Sequence, residues 1–170
     1  MTITKDKSLV AVARENKSIE IWTTPQMWTQ LLVIPGNQNC DIRNIHWLEP
    51  DAEPHKQQKD SNPFYYRTKQ GAFKKRRLVS TGLNGVIIEW NLLTLSPKSK
   101  YNLHASIWDS KMHGKFAYLA CEDGSVKIVK VKKTKIEMVR SMIKMSDSKS
   151  LSIELIFSQK AREDEKALVE

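Results

Sequence analysis

Two short strings interleave aromatic rings with cations: Phe64-Tyr65-Tyr66-Arg67 and Phe73-Lys74-Lys75-Arg76-Arg77, with Lys69 between them. Cations neutralise phosphates and release their counterions, while exposed rings can stack on unpaired bases. Tyr65, Tyr66, Arg67, Lys69, Lys74, Lys75, Arg76 and Arg77 are therefore the candidate nucleic-acid contacts. The same string also fits contact with an acidic protein, or an insertion whose charges simply keep it solvated. Lys74-Lys75-Arg76-Arg77 would in addition serve as a nuclear-import signal. The charge is concentrated: segment 51–77 holds eight basic and three acidic residues, a net +5 out of +9 for the 170-residue chain.

No comparable pattern supports catalysis. His46, His55, His104 and His113 share no zinc-binding spacing with one another or with Cys40 and Cys121. Ser80 and Ser110 have no neighbouring His and Asp of a hydrolase signature. The six glycines never fall as GxGxxG or as a phosphate loop. No catalytic residue, cofactor site or metal site is assigned, and the chain reads as a non-enzyme. Cys40 and Cys121 read as reduced, strand-associated thiols. No apolar run approaches the ~18–20 residues of a membrane helix. The N-terminal Met1-Thr2-Ile3-Thr4 lacks a signal peptide's apolar core. The expectation is an intracellular protein without membrane contact.

What must position these residues is a repeat. Leu9–Trp22, Leu78–Trp90 and Ala117–Val129 each read as a small or β-branched strand, a polar turn and a second apolar strand. The turns are Asn16-Lys17, Asn84-Gly85 and Asp123-Gly124. Asn-Gly and Asp-Gly suit a two-residue type I′ turn, which needs positive φ at both central positions. Lys17 makes the first copy the weak one. Trp22, Trp90 and Val129 each follow the second turn residue by five positions. The copies lie 68 and 39 residues apart, and the difference of 29 is close to the length of the basic insertion 51–77. Removing it restores a period near the ~40–45 residues of a four-stranded propeller blade.

The remainder fits the same frame. Met1–Thr4, Ile42–Leu48 and Ile107–His113 read as strands that open a unit, and Leu31–Ile34 and Ile136–Met142 as outer strands. The fold expected is all-β: about three WD-repeat β-propeller blades over 1–145, near 1–40, 41–100 and 101–145. Segment 146–170 reads as the start of a further blade, with Leu151–Phe157 its first strand and Gln159–Glu170 a charged tail, a short helix or disordered. Propellers close with about 4–8 blades, so the expectation is a fragment of a longer protein or a truncated gene model. Asn84, Gly85, Asp123 and Gly124 are structural turn positions. Trp22, Trp90, Trp47 and Trp108 are expected in the core. Trp28, in a loop, is either a partner-facing anchor or packed on its own blade. His104 or His113 could join the His/Ser/Asp network of many WD blades, or stand on the surface.

The segments Val10–Trp22, Trp28, Val33–Gly36, Ile42–Trp47 and Arg77–Trp90, above all Ser80–Trp90, resemble the first blades of the cirhin family. Cirhin is the WD-repeat subunit of the t-UTP subcomplex in the small-subunit processome. The resemblance covers roughly 1–131 and implies a nucleolar scaffold in ribosome biogenesis with no catalytic residues. It implies other processome subunits and pre-ribosomal or small nucleolar RNA as partners. The chain departs from the family in its shortness and its basic insertion. A WD-repeat adaptor outside ribosome assembly, in a vesicle coat or a ubiquitin ligase, is the alternative.

Overall fold

Short apolar runs stopped by Asn, Asp and Gly can bury a face only by pairing side by side. The computed structural model describes residues 1–24, 28–36, 40–48, 73, 76–142 and 148–156. They form strands β1 (Thr2–Ile3), β2 (Leu9–Ala13), β3 (Ile19–Thr23), β4 (Thr29–Ile34), β5 (Asn44–Leu48) and β6 (Arg77–Thr81). Then follow β7 (Val86–Asn91), β8 (Ser96–Asn102), β9 (Ile107–His113), β10 (Phe116–Cys121), β11 (Val126–Val131) and β12 (Ile136–Ser141). Successive strands pair antiparallel into three four-stranded meanders, β1–β4, β5–β8 and β9–β12.

Apolar faces stack these sheets. Leu9, Ala11, Ile19, Ile21 and Ile34 of the first sheet meet Ile45, Trp47, Leu78, Ile88 and Trp90 of the second. On the second sheet's other face, Leu48, Val79 and Ile87 meet Ile107, Leu119, Val129 and Val131 of the third. Each such Leu, Ile or Val contributes about 1.5–3 kcal/mol when fully buried, so these two layers dominate the stability. The middle sheet is covered twice, and Ile87, Ile88, Glu89 and Trp90 are buried in succession. The first sheet is covered on one face, so β3 alternates: Ile19 and Ile21 are buried, Glu20 and Trp22 only partly.

The repeat turns lie where expected, with a different geometry. Gly85 N–H donates to the Gly82 carbonyl at 3.0 Å, Lys17 N–H to Arg14 at 2.9 Å and Gly124 N–H to Cys121 at 3.1 Å. Only the last residue of each four-residue turn is left-handed: Lys17 (φ 66°), Gly85 (75°) and Gly124 (79°). The two-residue type I′ reading is therefore corrected. A tight turn ending in one left-handed residue fits the strand twist with a single positive φ. Asn16, Asn84 and Asp123 are present because their side-chain oxygens accept the N–H two residues on, Ser18 at 3.1 Å, Val86 at 3.1 Å and Ser125 at 3.0 Å.

Two further differences concern strands. β8, Ser96–Asn102, is a polar outer strand that its composition hid; Pro97 is tolerated because this edge needs no second ladder. Leu151–Phe157 is expected as the first strand of a further blade; its described part, 151–156, pairs with no strand among the described residues. A strand requires a ladder partner, and this segment is held by side chains instead: Asp109 accepts from Ile153 N–H at 3.1 Å and Ser152 Oγ at 3.3 Å. Phe157 and Gln159–Glu170 lie outside the described residues.

Candidate nucleic-acid interface

The meander topology sorts the connecting segments into two ends. The turns β1–β2, β3–β4, β7–β8, β9–β10 and β11–β12 share one end with the long β5–β6 connection that carries the basic insertion. Two contacts tie the three sheets together there. Arg76 reaches back to Asp6 in the β1–β2 turn at 2.5 Å. Arg77 reaches forward, donating to the carbonyls of Val131 at 3.2 Å and Lys132 at 2.6 Å. At the opposite end, Arg43 N–H donates to the Thr81 carbonyl at 2.8 Å and Glu122 N–H to the Ser106 carbonyl at 2.9 Å.

Charge divides unequally between the ends. Among the described connecting residues, the insertion end carries Lys5, Lys7, Arg76, Lys115, Lys132, Lys133 and Lys135 against Asp6. The opposite end carries Arg14, Lys17 and Arg43 against Glu15, Asp41, Glu122 and Asp123, with Lys149 of the segment after β12 paired to Glu122 there. Glu137, at the base of the β11–β12 turn, pairs with Lys132 and with Lys135 at 3.0 Å. Burial alone would raise the Asp6 carboxyl, but hydrogen bonds from Thr4 and Ser8 with the Arg76 charge hold it below its usual value. The net excess at this end remains strongly positive, and such a surface attracts polyanions over distances near the ~8 Å screening length of physiological salt.

Of the sequence-derived contacts, only Arg76 and Arg77 fall on described residues; Tyr65, Tyr66, Arg67, Lys69, Lys74 and Lys75 lie outside them. Arg77 has a structural occupation. Its guanidinium grips Glu89 through Nε at 2.7 Å and Nη2 at 2.8 Å, besides the two carbonyls. Glu89 is 1% exposed and also accepts from Lys98 at 2.8 Å. Burial would raise its carboxyl, yet the hydrogen bonds from Arg77 and Lys98 outweigh that and hold it ionised. Phe73, the aromatic of the second string, is buried in the core between the first two sheets and presents no ring for stacking. Lys5, Lys7, Lys115, Lys132, Lys133 and Lys135 were missed in the sequence because they are scattered; only the topology brings them to one end.

The structural repeat positions divide. Trp90 is buried and donates its indole N–H to Ser80 Oγ at 2.8 Å. Trp22 is only partly buried and donates to Glu20 at 3.0 Å, which corrects its assignment to the core. The position matching Ser80 is Val12, which offers no acceptor, and no sheet among the described residues covers that face. Trp47 is buried, while Trp108 is partly exposed, with Arg43 and Lys149 at 6.0 and 5.9 Å from its ring centre.

Ser110 also differs from expectation, because the fold sets His46 beside it: Nε2 lies 2.8 Å from Ser110 Oγ, which lies 2.9 Å from Thr81 Oγ1. A Ser–His pair is the beginning of a nucleophile. Here burial lowers the His46 pKa to about 4, which makes it a poor base near neutrality, and Ser110 is 1% exposed. The three side chains form a polar bond across the second and third sheets. Of the two readings left open for His104 and His113, the surface one holds: both are exposed. Among the described residues, no group of ligands gathers that would hold a metal.

The solved WD40 repeats of RRP9 align with 86% of this chain, and with 38% of that one, at a TM-score of 0.59 and 16% identity. The C-terminal WD40 domain of Sif2 gives 0.60 at 14% identity, over 87% of this chain and 37% of that one. The chain has the fold of WD40-type propeller blades. No protein-family model matches it. In sequence it is 26% identical to U3 small nucleolar RNA-associated protein 4 of Saccharomyces cerevisiae over 125 residues, 72% of this chain and 13% of that protein. The homologue from Mus musculus is 28% identical over 137 residues, 78% of this chain and 16% of that protein. The Homo sapiens homologue is 26% identical over 135 residues, 78% and 16% respectively. The blades thus span about one sixth or less of the length of these curated relatives.

Proposed function

We propose that these blades are part of a non-catalytic scaffold of ribosome biogenesis, acting in the small-subunit processome at the nucleolus. The observation that carries this reading is the segregation, among the described residues, of seven connecting-segment cations against one carboxylate at the insertion end. It is supported by likeness to U3 small nucleolar RNA-associated protein 4, which is the protein also called cirhin. The mechanism is rigid presentation. The blades hold the turn cations in fixed places, so that phosphates of pre-ribosomal or small nucleolar RNA displace counterions without any bond being made or broken. Arg76 and the turn lysines take the phosphate role, with Lys74 and Lys75 preceding Arg76 along the chain, and Arg77 anchors the frame. Other processome subunits bind the remaining surfaces.

Ultraviolet crosslinking in cells, followed by capture of the tagged chain, tests this. Pre-ribosomal or small nucleolar RNA should be recovered with processome proteins, and crosslinked peptides should contain Lys5, Lys7, Arg76, Lys132 or Lys133. Recovery of vesicle-coat or ubiquitin-ligase subunits in their place would overturn the reading in favour of an adaptor.

A further inference from the structure

Trp28 is 66% exposed, the only aromatic among the large apolar side chains that stand exposed on the described residues. It lies at the insertion end, in the β3–β4 turn. Its stem is closed at the Thr23–Thr29 pair, where Thr29 N–H donates to Thr23 Oγ1 at 3.3 Å. The same stem is fastened to the neighbouring cationic turn: Thr24 N–H donates to the Ser8 carbonyl at 3.1 Å, and Thr24 Oγ1 donates to the Lys7 carbonyl. Lys5 and Lys7 in that turn are exposed. An exposed indole thus stands in a turn whose stem is fastened to a neighbouring turn that carries exposed lysines.

Those ingredients select one form of nucleic acid. Phosphates of any strand satisfy lysines, but an indole face needs an unpaired base, because duplex bases already stack on one another. We propose that Trp28 is a base-stacking platform and that the basic end prefers single-stranded RNA to duplex. This rests on the RNA-binding reading above and adds the class of RNA and the residue that distinguishes it. The fastened stem matters because backbone already held in place at Thr24 and Thr29 loses little freedom on binding.

The test uses the full chain and two labelled probes, a single-stranded RNA and a duplex containing it, with affinities read by fluorescence anisotropy. The parent should bind the single strand more tightly. Trp28→Ala should weaken single-strand binding by about fivefold or more and leave duplex affinity and the salt slope unchanged. Trp28→Phe, which keeps a ring, should retain most of the affinity. Circular dichroism and thermal melts of both variants should match the parent. Equal affinity of the parent for the two probes, or unaltered single-strand binding by Trp28→Ala, would overturn the platform while leaving the RNA-binding reading intact. Loss of a captured protein from Trp28→Ala, with RNA affinity untouched, would also overturn it and make the ring a protein anchor. A parent that binds neither probe removes the broader reading together with this one.

Discussion

Glu89 shows how a single residue can change what holds a blade together. The position it fills in β7 is occupied in β3 by Ile21, which is fully buried. Glu89 is buried to the same degree but ionised, and depends on Arg77 and Lys98 for compensation. Removing one partner of a buried ion pair costs about 3–5 kcal/mol, whereas replacing the pair with packed aliphatics is often neutral. Arg77→Ala is therefore expected to lower stability by several kcal/mol, and Arg77→Ala with Glu89→Ile should recover a good part of the loss in chemical-denaturation curves. A double variant no more stable than the single would contradict this account. His46 makes a second residue-scale prediction. Burial lowers its pKa from 6.5 to about 4, with Asp109 opposing the shift and Lys111 assisting it. Between those values the unfolded chain binds a proton that the folded chain refuses, so stability rises with pH across this window. It is complete above pH 6.5 and falls as pH drops toward 4, by up to about 3 kcal/mol. Melting temperatures between pH 7.5 and 4.5 should show the decline, and His46→Gln should flatten it; equal slopes in both proteins would rule His46 out.

The hairpin turns are the elements on which the frame depends, and they rank by the residue that must be left-handed. Gly85 accepts φ 75° freely, and a Cβ there would meet the Ala105 carbonyl oxygen at 2.8 Å. Lys17 holds φ 66° with a full side chain, at a cost of about 1–2 kcal/mol. Lys17→Gly should thus raise the melting temperature, and Gly85→Val should lower it by several degrees. The reverse order would mean that these turns do not set the register. Legibility in the sequence followed the same logic. Asn84-Gly85 and Asp123-Gly124 declared their turns because few other residues satisfy that backbone, and the apolar strands beside them followed. Asp6-Lys7-Ser8 is the same device without Gly, and nothing in its residue types marks Lys7 as left-handed (φ 54°). β8 escaped because an outer strand packs on one side at most, so its residues need no apolar pattern. The His46–Ser110 contact joins residues 64 positions apart, and no local pattern encodes such a meeting.

At the scale of the whole molecule, the fold converts scattered lysines into a charged end. The sequence concentrated attention on 51–77, since only contiguous charge is visible along a chain. Antiparallel meanders then place every second connection on one side, and Lys5, Lys7, Lys115, Lys132, Lys133 and Lys135 arrive at the end that holds Arg76 from three turns. A surface of this kind binds polyanions by counterion release, so the logarithm of the affinity falls linearly with the logarithm of salt, by about 0.7 for each phosphate contact to a single strand. Changing Lys5, Lys7, Lys132 and Lys133 together to Gln should lower the affinity at 50 mM salt and reduce the slope by up to about 3, while sequence preference stays the same. The matched control is Arg14, Lys17, Arg43 and Lys149 to Gln at the opposite end. That variant removes the same number of charges and lowers the net charge equally, so any effect of overall charge appears in both. A loss confined to the insertion-end variant means that placement governs binding; equal losses would mean that net charge does, and that neither end is an interface.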